Sequence, residues 1–201
     1  MRVSNRLNKH FVAAAAAVAV TGAANAAVVY SGVLNVTIPA NIDGLYLNVE
    51  TGQQGSSGGA VPGWDINPYG STGLSLYAAS GTGYMRHPQA TTTAKTNIAA
   101  GTAIGSSAFF YGSSSAVIGT LPGQWSLNST GIIGFKFLAA DGLTHYGWAR
   151  IAIGASLAAR TLVDYAFEST AGQSLNAGVV PAPGAIALLG VAGLVTRRRR
   201  A

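Results

Sequence analysis

Apolar residues in this chain come in short runs broken by Gly, Ser, Thr and Asn, and the clearest runs alternate. In Ile133-Gly134-Phe135-Lys136-Phe137 the odd positions are apolar while Lys136 points the other way, and Ala149, Ile151 and Ile153 oppose Trp148, Arg150 and Ala152. A period of two predicts strands with one face buried and one wet. Strands are expected over 28–36, 44–50, 74–78, 108–111, 131–138, 146–153, 161–168 and 174–176. Asp141-Gly142 is a hairpin signal, because a tight turn with positive φ favours these residues, so 131–168 reads as a meander. Segments 51–63 and 79–106, rich in Gly, Ser and Thr, read as surface loops with some strand of their own. Hardly any helical period interrupts this pattern. It predicts an all-β chain, a single β-sandwich domain over 27–178 with a jelly-roll-like arrangement.

The two ends depart from that pattern. Residues 1–26 pass from a basic stretch ending at Lys9-His10, through the apolar stretch Phe11 to Val20, to the small-residue site Ala24-Asn25-Ala26. This order is that of a secretory signal peptide, with the mature chain expected to begin near Ala27. The apolar stretch is about ten residues, against the roughly 20 of a spanning helix. At the other end, residues 179–201 run from Pro181-Ala182-Pro183-Gly184 into the apolar segment Ala185 to Val195, then Thr196 and Arg197, Arg198, Arg199 and Arg200. Eleven residues of helix cover roughly 17 Å of a ~30 Å hydrocarbon core, a marginal span that suits a transient anchor. Arginines beyond it favour the cytoplasmic side and leave the preceding domain outside.

The tail from about Val180 to Ala201 resembles the PEP-CTERM sorting signal, a Pro-Glu-Pro motif followed by an apolar helix and a basic cluster. Ala182 stands where that family has glutamate, so the tail is a variant. The block Tyr146-Gly147-Trp148-Ala149-Arg150, with Leu162 to Glu168 and Gly172 to Gly178, is similar to the last part of many PEP-CTERM passenger domains. The resemblance implies closing strands of a sandwich, processing by an exosortase-like sorting enzyme after the secretion translocon and signal peptidase, and a destination in the envelope or extracellular matrix. An uncleaved membrane anchor is the plainer reading of the same tail. A helix packed on the domain would distribute its charge around one face, unlike four consecutive arginines.

Charge changes the picture only once it is located. The formal net charge is +6, but Arg2, Arg6 and Lys9 belong to the leader and Arg197 to Arg200 to the tail. Five basic and six acidic residues remain between them, a net charge of −1. That balance lacks the footprint of nucleic-acid binding. With no cysteine, the domain relies on packing and hydrogen bonds outside the cell.

Little in the middle announces catalysis. After leader removal only His87 and His145 remain, far apart and without ligand spacing; His87 precedes Pro88 and reads as loop, while His145 is expected at an exposed turn edge. Gly55-Ser56-Ser57-Gly58-Gly59 fits the nucleophile-elbow pattern but lacks its strand-to-helix context. Asp65-Ile66-Asn67-Pro68-Tyr69-Gly70 resembles the start of a calcium loop, yet Leu76 stands where an EF-hand has its bidentate acid, leaving Asp65 and Asn67 as a non-EF calcium candidate against an Asx-turn. Asp164 and Glu168 lie about 13 Å apart along a strand, beyond the roughly 5–9.5 Å of glycosidase pairs, so Asp164 or Glu168 is expected to face Arg150 across strands. Asn35-Val36-Thr37 and Asn128-Ser129-Thr130 match the glycosylation pattern as coincidences of a Ser/Thr-rich chain. Trp148 reads as core; Trp64 and Trp125, each near a Pro-Gly pair, are the candidate ligand face.

The expectation is therefore a non-enzymatic, cofactor-free exported protein of structural or adhesive type, transiently or stably anchored in the inner membrane and meeting exopolysaccharide. The alternatives are a lectin-like carbohydrate-binding module and, less in keeping with this sequence, a secreted hydrolase.

Overall fold

Alternation in the segment that follows Asn128 produces the three longest strands of the protein, and the other strands assemble around them. The computed structural model describes residues 27–92 and 95–180. Strands β1 (Val28–Tyr30), β2 (Val36–Thr37), β3 (Tyr46–Leu47), β4 (Gln54–Gly55), β5 (Ile66–Tyr69), β6 (Ser75–Ala78), β7 (Gly83–Met85), β8 (Asn97–Ile98), β9 (Ala103–Ile104) and β10 (Phe110–Tyr111) come first. They are followed by β11 (Ser113–Ser115), β12 (Ser129–Leu138), β13 (Thr144–Ile153), β14 (Arg160–Glu168) and β15 (Leu175–Asn176). Every strand pairing between them is antiparallel. The described chain is all-β, with one 3₁₀ turn at Gly58–Ala60. The expected leader 1–26, and the tail with Pro181, Ala182, Pro183 and Arg197 to Arg200, lie outside the described residues.

The expected meander forms the centre of an eight-stranded sheet of order β1-β14-β13-β12-β7-β10, with β2 also on β14 and β8 also on β12. Its first turn is where Asp141-Gly142 predicts it. Gly142 has φ +77°, and the Asp141 carboxylate accepts the Leu143 N–H at 2.8 Å. A five-stranded sheet of order β11-β6-β5-β3-β4 covers one face of the large sheet, and a ribbon of β9 and β15 contributes to covering the other.

The expectation of one buried and one wet face is overturned by this arrangement. Ile133, Phe135, Phe137, Ala149, Ile151 and Phe167 face the five-stranded sheet and share a core with Leu47, Ile66, Leu76 and Tyr84. On the opposite face Tyr146, Trp148 and Ala166 are also buried, under Met85, Ile98, Ile104, Leu175 and Ala177. The alternating pattern marks the faces correctly. It cannot mark the second one as dry, because Met85, Ile98 and Ile104, which help to cover it, come from short strands in a segment that reads as loop.

The smaller sheet also contains a strand that the sequence pattern hides. β5 contains Pro68, which ordinarily argues against an interior strand. Here the ladder with β3 is limited to the pair Leu47 and Ile66, and the Pro68 carbonyl accepts the Leu45 N–H at 3.0 Å past the end of β3. Nitrogen and carbonyl of one residue point to the same side of an antiparallel strand, so the missing proline N–H faces the side where the ladder has ended and not the side paired with β6.

One irregularity decides which core β14 serves. Its register on β13 steps from Arg150 with Asp164 to Ile151 with Leu162, leaving Val163 as an extra residue. Such a bulge turns the rest of the strand over. Asp164 and Ala166 thus share the Trp148 face, whereas Leu162, of the same parity, joins the core between the sheets.

Packing around β13 is tight enough to test directly. Gly147 lies opposite Phe135, and a Cβ built on it would come 2.4 Å from the phenyl ring and 2.8 Å from the Ala166 carbonyl oxygen. Gly147→Ala is expected to lower unfolding free energy by about 1–3 kcal/mol through overpacking, read as a drop in urea midpoint; a midpoint equal to that of the unaltered protein would refute this packing.

Candidate functional site

The outer face of the five-stranded sheet carries three aromatic rings in contact. Tyr46 comes from β3, Tyr77 from β6, and Trp64 from the turn that enters β5. The Tyr46 and Trp64 rings meet edge to face with centroids 4.9 Å apart, and Trp64 and Tyr77 lie tilted at 5.9 Å. Neighbouring glycines make room for them. Gly55 sits opposite Tyr46 in the ladder, and a Cβ on Gly58 would come 2.7 Å from the Trp64 indole nitrogen. The Gly-rich segment that fits a nucleophile-elbow pattern therefore folds as a 3₁₀ turn capped by Ser57, over which the indole edge closes.

Tyr46 and Trp64 are half-buried and Tyr77 is 50% exposed. Beyond Tyr77 the face turns polar. Ser113 pairs with Tyr77, Ser115 pairs with Ser75, and the Ser75 and Ser115 hydroxyls are 3.5 Å apart. The result is a strip of π-surface edged by hydroxyls on a hydrogen-bonded sheet. Such a strip can stack against the C–H face of a sugar ring or another flat apolar group while the hydroxyls exchange hydrogen bonds with it.

Of the two tryptophans expected at a ligand face, Trp64 is in this strip and Trp125 is not. Trp125 is fully buried in the core between the sheets. Its backbone N–H donates to the Val117 carbonyl at 2.8 Å and its carbonyl accepts the Gly119 N–H at 3.0 Å, so the preceding loop folds back over it. The bare Gly131, where a Cβ would come 2.5 Å from the indole ring, lets it lie against β12. The Pro-Gly pair near Trp125 marks a turn without saying on which side the indole falls. Trp148, read as core, is fully buried. Tyr46 and Tyr77 were not singled out by sequence reasoning; their odd-even placement in short strands was the available signal, and strands of two to four residues carry too little pattern to use.

The remaining candidates serve structure. Arg150 pairs with Asp164 across β13 and β14: Nε donates to Oδ1 at 2.6 Å and Nη2 to Oδ2. The Tyr30 hydroxyl also donates to Oδ2, at 2.7 Å, and Arg150 lies over the Trp148 ring. The Asp164 side chain is fully buried, so losing Arg150 would strand a charge. Donation to Asp164 is the chief reason the Tyr30 hydroxyl and the Arg150 guanidinium are both held above their ordinary values. His145, expected at an exposed turn edge, is instead 4% exposed. It bridges the Glu168 carbonyl at 2.8 Å and the Asp141 carboxylate at 3.1 Å, a position created by the return of β14 alongside β13. Sequence reasoning also passed over Arg160, which is buried and donates to the carbonyls of Pro39, Gly70, Gly73 and Leu157, tying the start of β14 to the loops of the smaller sheet. Loss of hydration lowers its pKa.

Asp65 and Asn67, the calcium candidate, are 5% and 2% exposed and both are engaged inside the protein. Asp65 Oδ2 accepts the Val49 N–H at 2.8 Å, and the Asn67 amide donates to the Asp43 carbonyl at 2.7 Å. Among the described residues, no group of three or more His, Asp or Glu gathers to hold a metal, and no helix is long and apolar enough to cross a membrane. Two cavities of about 220 Å³ each open elsewhere, one between β1, β14 and the β3–β4 turn, the other beside Arg86 and Phe109. Both fall below the roughly 300–1,000 Å³ of small-molecule clefts, which leaves the aromatic strip as the stronger candidate. No protein-family model, curated protein or solved structure matches this chain.

Burial of Asp65 has a consequence for stability. Loss of hydration raises its pKa from 3.8 to about 7, the Val49 N–H opposes this, and the charge of Glu50 adds to it. The folded state therefore holds a proton that the unfolded chain has lost, and this contribution is present below pH ~4 and lost as pH rises to about 7. Urea midpoints measured from pH 4 to 8 should fall across that window, and Asp65→Asn should flatten the fall; an unchanged slope in the variant would exclude Asp65 as its source.

Proposed function

We propose that this is an exported, non-catalytic protein of the cell envelope or extracellular matrix, adhesive in type, working through the Tyr46–Trp64–Tyr77 strip. The observation that carries the adhesive reading is the strip itself: three touching rings on the outer face of a sheet, edged by serine hydroxyls. Export rests on the order of regions at the two ends of the sequence, and sorting on the resemblance of the tail to the PEP-CTERM signal despite Ala182. On this reading the chain passes through the translocon, loses its leader to signal peptidase and is held or released by an exosortase-like enzyme. The two larger sheets are then the layers of a β-sandwich, jelly-roll-like in arrangement, which is supported by the core residues they share.

Intact-mass analysis of the protein from the envelope and medium of its own host tests the delivery. Loss of the first 26 residues and of the arginine tail is expected; an intact tail retained in the inner membrane would replace the sorting-enzyme reading with a simple anchor.

A second reading, a lectin-like carbohydrate-binding module, is favoured by the hydroxyls of Ser75, Ser113 and Ser115 beside the rings, since sugars offer both a C–H face and hydroxyl partners. Retention on immobilised exopolysaccharide from the host envelope should weaken about tenfold or more in Trp64→Ala and Tyr77→Ala, the scale of an anchoring aromatic. It should not change in Ser31→Ala, whose hydroxyl instead donates to the Gly32 carbonyl after β1 and accepts the Tyr165 N–H of β14. Equal retention of all three would remove the glycan reading and leave adhesion to another surface.

A further inference from the structure

At the far edge of the large sheet, β1 pairs with the end of β14 in the register Val28 with Glu168, Val29 with Phe167 and Tyr30 with Ala166. The pairing extends one residue further, since the Ala27 carbonyl accepts the Ser169 N–H at 3.0 Å. The Glu168 side chain turns to this point. Its Oε1 accepts the Ala27 N–H at 2.9 Å and the Thr170 N–H at 2.9 Å, and the residue is 1% exposed. Among the described residues the ion pairs are His145 with Asp141 and Arg150 with Asp164, and neither involves Glu168. Among the described residues the Glu168 carboxylate is thus buried without a cation, a costly arrangement unless a charge of opposite sign is supplied.

The nitrogen it holds is the one that leader removal would free. Cleavage after Ala24-Asn25-Ala26 makes Ala27 the first residue, and its nitrogen would then be an ammonium. We infer that Glu168 is the binding site for the α-ammonium of Ala27 created by processing, so that leader removal pairs this buried carboxylate with a partly exposed charge and locks β1 onto the sheet. This rests on the export reading above. In the processing step a peptidase adds water across the Ala26–Ala27 bond: the C–N bond breaks, Ala26 leaves as a carboxylate, and the Ala27 nitrogen gains the protons that make it an ammonium. The contact from Ala27 to Glu168 Oε1 sets where the charge arrives, and a charged donor strengthens a hydrogen bond that an uncleaved chain makes only with a neutral amide. The precursor is correspondingly less stable than the exported form, which keeps the chain easier to thread before it reaches its destination.

The test uses the full chain exported by its own leader. Its first residue is read by intact mass, and its unfolding in urea is measured before and after selective acetylation of the α-amine near neutral pH. The expected result is a chain that begins at Ala27, in which acetylation raises the unfolding constant at least tenfold, about 1.4 kcal/mol. In Glu168→Gln, which keeps an acceptor but no charge, the same acetylation should change it less than twofold. A chain that begins at Ala27 but loses nothing on acetylation, or one that loses as much in the Glu168→Gln variant as in the unaltered protein, overturns the ion pair while leaving export intact. A different first residue overturns the ion pair while leaving export intact; a retained leader overturns both. Should Glu168→Gln fail to fold, the comparison of free and acetylated unaltered protein still decides.

Discussion

Burial of β13 on both of its faces is the constraint to which the rest of the fold answers. A strand with Ala149 and Ile151 on one side and Tyr146 and Trp148 on the other cannot leave either side in water without exposing large apolar area. One sheet cannot cover both. The five-stranded sheet takes the first face; the second falls to Met85, Ile98, Ile104 and Leu175 from short strands and to Ala177 just after β15, with Tyr30 packed at the edge. These covering pieces lie in segments whose composition is mostly Gly, Ser, Thr and Ala, and their strand character comes from the surface they cover.

The polar groups are placed where these layers must be held in register. Asp164 is carried into the interior at the bulge of β14, where Arg150 neutralises it and the Tyr30 hydroxyl donates to it, so the irregularity in the ladder and the buried charge belong to one feature. Arg160 performs the corresponding task at the other end of the strand with carbonyls as its partners, and His145 closes the gap between the β12–β13 turn and the last residue of β14. Each of these buried polar side chains joins elements distant in sequence. Removing one would therefore expose unsatisfied groups on two elements at once, the situation in which buried networks are most sensitive.

Against this rigid interior, the functional proposals lie at its margins. The aromatic strip stands on the outer face of the smaller sheet, where Tyr77 is held by strand pairing on both sides and Trp64 by the bare backbone at Gly58. An adhesive surface gains from this placement, because rings ordered before contact lose little freedom on binding. Glu168 lies at a different margin, beside the first residue of β1, so the proposed delivery and adhesion would engage different edges of the molecule.

Much of this was legible in the residues themselves. The alternation around Phe135 and Ile151, the turn at Asp141-Gly142 and the pairing of Arg150 with an acid on the next strand all follow from local period and spacing, which short-range backbone geometry obeys directly. The expectations for the two ends likewise rest on order and composition alone. What tertiary structure alone decided is the fate of residues whose neighbours come from afar. Trp64 and Trp125 have similar sequence surroundings, yet one joins Tyr46 and Tyr77 on a surface and the other fills the core, because a loop returns over only the second. Pro68 can occupy an interior strand because β3 ends before it, and the second face of the meander is dry because short, pattern-poor strands are folded onto it. A two-residue strand carries no period of its own; its conformation is imposed by the partner it meets, and that partner is known only once the chain has closed.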